Sequence, residues 1–587
     1  MYKEILGRMF LRLAVLALCV TSVHAYPSYR DNIPNGYNVA NPCDSSKKWD
    51  GVGHEKPGGA GTRNPFGEDF KVNNEIWDAA ICRKDSDGDG RTNGEELGDP
   101  NCVWRKGSAP QVTTGITHPG VCEPIGSSQC VGKNAFVDCQ NTGEFVCPAI
   151  HNADTVKFEY RFPKTAVPDK ETTYMCMNIK LPIEKTYHMI ASEPIIDNID
   201  VMHHVVIYGC PGLETAPGPL DKPAECGRMK TQCSEIISLW GAGGRGQCFN
   251  ENMGFLVGAA RSGLKYAIIE LHWNNPMLMS TFNDSSGYIF YMTENLRPHN
   301  AGVLTIGQAY FLIPPFTDGH VEVGTLPATC SRQLMTGDIN VASANNHMHL
   351  IGKAQITELI RNGSRVQFLA NDDVYEYNSP KTFSFADPVV VHPGDELKTT
   401  CVFDSRQREL TTFNGQATQD EMCFAFLTYY PKENMKTTVA ASWKSLDACD
   451  WSMGPVRKGC NFTQIINPAD PETAQIHAMI AAKCSPFVCR HECLAYVKEL
   501  QKHPCFQGDV YEMFQFSALR VQSNSEYRAK MTYFFAQLDS CDWELWQEGN
   551  GHTGDAGGPI SVGTSRRLSL STVIASALIP LSFAIYI

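Results

Sequence analysis

The chain has 587 residues, a formal net charge of −13 from 50 Lys+Arg against 63 Asp+Glu, and 23 cysteines. At roughly 100–200 residues per domain, the length suggests three or four domains. A hydrophobic share of 43% with 10% aromatics excludes wholesale disorder, and the acidic balance without Lys/Arg-rich runs excludes a nucleic-acid partner.

Residues 1–25 read as a signal peptide: a charged start (Lys3, Arg8, Arg12), an apolar stretch from Leu13 to Val20, and a cleavage site after Val23-His24-Ala25. Removing it, with Cys19, leaves 22 cysteines, an even number that fits a full set of disulfides in an oxidising compartment. Sequons at Asn283, Asn362 and Asn461 agree with passage through the secretory route. The mature chain is expected to be extracellular or lumenal.

Residues 26–122 are rich in Gly, Asn, Asp and Pro, as in a small module stapled by disulfides and metal. Within it, Asp85-Ser86-Asp87-Gly88-Asp89-Gly90-Arg91-Thr92-Asn93-Gly94-Glu95-Glu96 fits the twelve-position calcium loop. Asp85, Asp87, Asp89 and Glu96 would offer side-chain oxygens, Arg91 a backbone carbonyl, and Asn93 a direct or water-mediated contact, with Gly90 at the sharp turn. The flanks do not read as a helix pair, so a fixed structural ion is expected rather than a sensor. The bland alternative is a Gly/Asp-rich surface loop.

Residues 123–154, with Cys130, Cys139 and Cys147, read as a cross-linked connector. From 155 to 465, short apolar or alternating runs recur between turn signals: Val205–Tyr208, Tyr266–Trp273, Tyr288–Met292, Ala354–Ile360 and Cys423–Tyr430. That spacing predicts antiparallel β-sandwich. Residues 466–550 are Cys-rich and partly helical, with Cys489 and Cys493 one turn apart on one face. Residues 551–587 hold small residues around Asp555, a polar spacer to Arg567, and an apolar tail from Leu568 to Ile587. This is the pattern of a glycolipid-anchor signal with Asp555 as the attachment site; a retained membrane helix and a freely secreted product are the alternatives.

Of the 17 histidines, five stand in three unusual places in the β-rich region. His203-His204 precedes an apolar run, His272 closes another, and His347-Met348-His349 follows Asn345-Asn346. On a strand, His347 and His349 share a face and could aim both rings at one ion. His203 and His204 would face opposite ways, so they need a local bend and a third ligand, which His272 could supply. Imidazole suits Zn, Cu, Fe or Ni, whereas a thioether such as Met422 favours copper.

The segments Met202-His203-His204-Val205-Val206, Glu270-Leu271-His272-Trp273-Asn274-Asn275-Pro276, His347-Met348-His349-Leu350-Ile351-Gly352 and Glu421-Met422-Cys423 through Tyr429-Tyr430-Pro431 occur in this order. They resemble the ligand motifs of the copper type II, ascorbate-dependent monooxygenases. The resemblance implies two β-sandwich domains, 155–305 and 306–465. In the first, His203, His204 and His272 would hold an electron-storing copper. In the second, His347, His349 and Met422 would hold the copper at which O2 and a substrate C–H bond react, with ascorbate as reductant. It also suggests that Cys401 and Cys423 brace the loop to Met422, and that Cys176, Cys210, Cys226 and Cys233 are the paired cysteines around the first motif.

The peptide-amidating branch carries an Arg two residues before its His-x-His, and an Asn and a Tyr two and four residues after its Met. Here those positions are Asn345, Phe424 and Phe426. Without a cation to pair a peptide carboxylate, peptidylglycine hydroxylation is disfavoured. The aromatic replacements suggest a flat, apolar or amine-type small molecule.

Residues 26–104 resemble temptin through Tyr26-Pro27, Ile33-Pro34-Asn35-Gly36, Gly51-Val52-Gly53-His54, Arg63-Asn64-Pro65-Phe66-Gly67, Cys82-Arg83-Lys84-Asp85 and Gly98-Asp99-Pro100-Asn101-Cys102. This implies a compact extracellular domain for contact with a protein or a surface.

The expectation is therefore a mainly β protein: two antiparallel sandwiches behind a calcium-stapled module and ahead of a helical Cys-rich segment. It would be a secreted or surface-anchored monooxygenase using two coppers, ascorbate and O2. The rival from another class is a non-catalytic matrix or signalling protein that keeps its metals as structural ions.

Overall fold

The computed structural model describes residues 28–545, except 58, 60–61, 138, 140–144, 228–231, 242–243, 276–277, 378–379, 452–453 and 522–523. The expected signal peptide, residues 1–25, and the expected anchor site Asp555 with the tail lie outside the described residues. No helix among the described residues is long and apolar enough to cross a membrane.

The fold is mainly β. Two-residue pairings aside, the first sandwich is built from β1 (Thr155–Arg161), β2 (Thr172–Lys180), β3 (Thr186–Ile195), β4 (Met202–Gly209), β5 (Glu235–Gly241), β6 (Met253–Gly258), β7 (Tyr266–Asn274) and β8 (Gly287–Thr293). One sheet runs β6-β3-β8-β1 and the other β2-β7-β4-β5, with antiparallel neighbours throughout. Strand β7 is central in its sheet, so its interior is buried on both faces and reads as a continuous apolar run rather than an alternation. Val205, Leu271, Trp273, Tyr288 and Phe290 lie in the core between the sheets.

The second sandwich comprises β9 (Gly302–Gln308), β10 (Asp318–Leu326), β11 (Ile339–His347), β12 (Gly352–Arg361), β13 (Ser364–Asp372), β14 (Thr382–Val391), β15 (Glu396–Asp404), β16 (Cys423–Tyr430) and β17 (Val439–Ser442). Its sheets run β14-β11-β16-β9-β17 and β10-β15-β12-β13. Strand β15 alternates buried and half-buried residues along its whole length, the mark of one covered face. Leu304, Leu359, Leu397 and Leu427 fill the core. The change from first to second sandwich falls earlier than residue 305, because β9 already belongs to the second.

The N-terminal module packs Trp49, Phe66, Trp77, Leu97 and Trp104 around three short helices, α1 (Pro65–Val72), α2 (Ala79–Cys82) and α3 (Asn93–Glu96). The acidic loop has no helix pair around it: the single turn α2 precedes it, and the single turn α3 forms its last four residues. The C-terminal segment is helical as expected, through α4 (Pro471–Lys483), α5 (His491–Leu500), α6 (Gly508–Phe516) and α7 (Ser525–Asp539). Its core starts before residue 466 by recruiting Trp443 and Leu446. Cys489 stands ahead of α5 rather than on it, and pairs with Cys541, while Cys493 pairs with Cys484.

All 22 cysteines from Cys43 to Cys541 form disulfides, eleven in number, as suits an oxidising compartment. Cys43–Cys139 and Cys122–Cys130 tie the connector to the module, and Cys147–Cys248 ties it to the first sandwich.

Candidate metal centres

The first histidine group depends on a break in strand register. In the β4–β7 pairing His204 faces His272, but Met202 faces Trp273, which leaves His203 as the extra residue of a β-bulge. A bulge turns the backbone locally, and here it brings two adjacent side chains onto one side. Nδ1 of His204 lies 3.1 Å from Nδ1 of His203 and 3.3 Å from Nδ1 of His272. His203 and His272 are buried, and burial with the neighbouring His272 and His203 holds the His204 ring well below its ordinary pKa. Neutral rings with nitrogens gathered this closely form a donor set suited to one cation.

Tyr174 on β2 covers this group. Its ring stacks on His272 with centroids 4.4 Å apart, and its hydroxyl donates to the Gln416 carbonyl at 2.7 Å. Glu270, two residues earlier on the same strand as His272, is buried and accepts from the Tyr208 hydroxyl at 3.3 Å. Cys176 and Cys226 beside it are bonded to each other and so are not thiolate donors.

The second group sits where β11 ends. The strand stops at His347, so His349 lies in the loop beyond it and not on the same strand face. The two rings stand perpendicular, with centroids 5.3 Å apart. The Nδ1 of His349 is 3.0 Å from the Asp420 carbonyl, which only accepts. That bond places the proton on Nδ1 and leaves Nε2 with its lone pair. Burial pushes His347 down to about 3, with the His349 and His203 rings adding to the effect. His349 is pushed down to about 4, again by burial.

The backbone of Met422 is tied to this group through Glu421, whose carboxylate is fully buried. Oε2 accepts from the N–H of His349 at 2.8 Å and of Met422 at 3.3 Å, and Oε1 accepts from Ile351 N–H at 2.7 Å. Burial raises this carboxyl to about 8 against the pull of those three donors. The next residue, Cys423, is bonded to Cys401 on β15. Phe426 on β16 lies beside His347 at 5.8 Å between centroids and also packs on the first sandwich's core. Phe424 stands opposite His347 in the β11–β16 pairing. The Asn345 amide is turned to β14, donating to the Lys381 carbonyl at 3.2 Å and to Thr382 Oγ1 at 2.7 Å.

The two groups share one buried region. The ring of Tyr377 stacks on His203 at 4.4 Å and lies 5.6 Å from His349. The sandwiches also meet through Thr172 and Thr418 at 2.7 Å, and through Lys432 and Glu235 at 2.7 Å. Tyr174, Tyr377 and Glu421 were not singled out by sequence reasoning. A Glu directly before the candidate thioether was the one local signal available.

In the N-terminal module, Asp85, Asp87 and Asp89 bring carboxylate oxygens within 4.8 Å of one another. Asp85 Oδ2 accepts from Gly90 N–H at 2.9 Å, and Gly90 takes a φ of 93°, which suits glycine. Asp87 Oδ2, Asn93 Oδ1 and Glu96 Oε2 are buried oxygens with no hydrogen-bond donor among the described residues. Burial and the neighbouring Asp89 raise Asp87 to about 7, and burial with Asp87 and Asp89 raises Glu96 to about 9. The Arg91 guanidinium bonds to Thr117 and the Glu95 carbonyl, outside the carboxylate cluster.

Comparison with known proteins matches these regions to three family descriptions. Residues 158–280 match the N-terminal domain of the copper type II ascorbate-dependent monooxygenases, and residues 299–447 match their C-terminal domain. Residues 23–121 match the C-terminal region of temptin. The chain is 32% identical to a tyramine beta-hydroxylase of Caenorhabditis briggsae over 284 residues, which are 47% of this chain and 48% of that protein. It is 30% identical to human dopamine beta-hydroxylase over 300 residues, 49% of this chain and 48% of that protein. It is 29% identical to DBH-like monooxygenase protein 2 of Mus musculus over 293 residues, 48% and 47% of the two chains. The chain spans about half the length of the curated relatives it matches. With both copper domains matched and both histidine groups formed within them, the chain carries the N- and C-terminal domains of the copper type II ascorbate-dependent monooxygenases, with a temptin-like domain ahead of them.

Proposed function

We propose that the protein hydroxylates a C–H bond of a small aromatic or amine-type molecule with O2, in an extracellular or lumenal compartment. The observation that carries this reading is that His203, gathered with His204 and His272, and His349, beside His347, both pack on one buried ring, Tyr377. His203, His204 and His272 would hold one copper, and His347, His349 and Met422 the other. When bound, the two coppers and ascorbate would supply the electrons that let one atom of O2 enter the product while the other leaves as water.

The chain's own residues prepare that chemistry. Asp420 fixes the His349 tautomer, and Glu421 ties the His349 and Met422 backbones to one carboxylate. Tyr174 shields His272 from water. Phe426 forms an apolar wall beside His347 that favours a flat substrate, while no cation stands at Asn345 to grip a peptide carboxylate. Peptide hydroxylation is the weaker reading for that reason.

The reading extends to calcium in the module, held by Asp85, Asp87, Asp89, Asn93 and Glu96 with the Arg91 carbonyl. The three buried oxygens without donors support it, because a hard cation satisfies such atoms. Asn283, Asn362 and Asn461 are exposed, which supports glycan attachment there, and Asn362 lies in the β12–β13 turn. Cleavage after residue 25 and a lipid anchor at Asp555 complete the proposal, as does an extracellular partner or surface for the temptin-like module. The test is turnover with isotopically labelled O2 and ascorbate across amines, phenols and glycine-extended peptides. One labelled oxygen atom in an aromatic amine product is expected; labelled product only from peptides would overturn the substrate class, and no labelled product from any class would overturn the enzyme reading.

A further inference from the structure

The extended segment Tyr375-Glu376-Tyr377 follows β13 and sends its side chains in two directions. Tyr375 is buried, and its hydroxyl accepts from Met348 N–H at 2.9 Å and donates to the Met348 carbonyl at 2.8 Å. It thus grips the backbone between His347 and His349. Two residues on, Tyr377 places its ring between His203 and His349. Glu376 points the other way, into the N-terminal module. Its Oε2 lies 2.7 Å from the Arg63 guanidinium and 3.3 Å from Lys71 Nζ.

This is a buried contact, with the Arg63 side chain 7% exposed and that of Glu376 15%. Burial alone would raise the Glu376 carboxyl, yet Lys71 and Arg63 hold it below its ordinary range. The start of the segment is knitted to the His-x-His strand as well, since Asp372 accepts from Asn346 Nδ2 at 2.8 Å. The ion pairs that Arg63 and Lys71 make to the second sandwich therefore both fall on the residue between Tyr375, on the Met348 backbone, and Tyr377, on His203 and His349. A contact serving only to dock the module would not need that address.

We propose that the temptin-like module is a positioning element of the redox site: Arg63 and Lys71 clamp Glu376 and so hold Tyr377 between the two histidine groups. Tyr377 is a positioning residue, keeping the His203 and His349 rings at a fixed separation. The inference rests on the reading above that the two groups work together, but the clamp can be tested apart from it.

The experiment uses the full chain with Glu376→Gln, the double variant Arg63→Met/Lys71→Met, and the charge exchange Arg63→Glu/Glu376→Arg. The first readout is hydrogen exchange in metal-free protein. Breaking a buried ion pair should speed exchange across residues 372–377 and 345–349 by at least about tenfold, while the module's own α1 stays protected. The second readout is turnover. Displacing the tyrosine should lower kcat by about 10–100-fold with copper content and KM for ascorbate unchanged. Tyr377→Leu should reproduce that loss and Tyr377→Phe should not, and the charge exchange should recover part of both readouts. Unchanged exchange in the clamp variants overturns the proposal. Faster exchange with kcat intact also overturns it, since the module would then only dock. If wild type turns over no substrate, the monooxygenase reading fails, and the exchange at residues 345–349 alone decides the clamp.

Discussion

Replacing Glu421 with Gln puts the second metal centre to a specific test. The carboxylate takes three backbone N–H groups, two on Oε2 and one on Oε1. A glutamine oriented to keep its oxygen toward His349 and Met422 turns its NH2 against the Ile351 N–H. One buried donor then loses its acceptor, at a cost of about 1–3 kcal/mol. For a domain of this size that corresponds to a fall in Tm of about 2–4 °C per kcal/mol. Because the same carboxylate orients the backbone of both His349 and Met422, copper affinity at that centre should fall by about 10–100-fold while the His203/His204/His272 centre is spared. Stepwise copper titration with a thermal melt reads both effects. A Glu421→Gln protein with two equally tight coppers and an unchanged Tm would refute the bracing role.

Other parts of the molecule make four further predictions. Chelation of calcium should lower the melting temperature of the N-terminal module, and Asp87→Asn should weaken calcium binding measured by calorimetry; insensitivity to both would remove the ion from the loop. His118 is buried against Trp49, and burial pushes its pKa down to about 3. Its stabilising contribution is present above the unfolded value of about 6.5 and is lost as pH falls toward 3, so the module should loosen over that window; a His118→Phe protein with the same acid profile would contradict this. Removing the Cys401–Cys423 bridge with paired serines should cost about 3 kcal/mol, measured by denaturant unfolding, and loosen the Met422 loop. Tyr174→Phe keeps the ring on His272 but loses the bond to the Gln416 carbonyl, so denaturant unfolding should show a loss of about 1 kcal/mol with copper content unchanged.

Much of this architecture is legible from spacing. Cys423–Tyr430 coincides with a strand from end to end, because a run of alternating or apolar residues between turns is a local property. The need for a bend at His203-His204 is also legible, since adjacent strand residues face opposite ways. That the bend is a bulge opposite His272 and Trp273 is not, because register is set by the partner strands. His349 follows the same logic: the i, i+2 rule assumes a continuing strand, whereas Tyr375 and Glu421 draw the backbone out of β11. Tyr377 and its clamp are invisible in one dimension. Arg63 and Glu376 lie 313 positions apart, and the temptin-like motif around Arg63 says nothing of Glu376.

Two copper centres, one of them built on Met422, are proposed to act together in one chain. The most direct test is copper content of the purified mature protein, measured alongside ascorbate-driven O2 uptake in wild type and Met422→Ala. Two coppers per chain are expected in wild type, and in the variant a second copper bound more weakly with substrate-dependent O2 uptake abolished. Fewer than two coppers in wild type would contradict the ligand assignment, and O2 uptake that survives Met422→Ala would contradict the placement of the reaction at that centre.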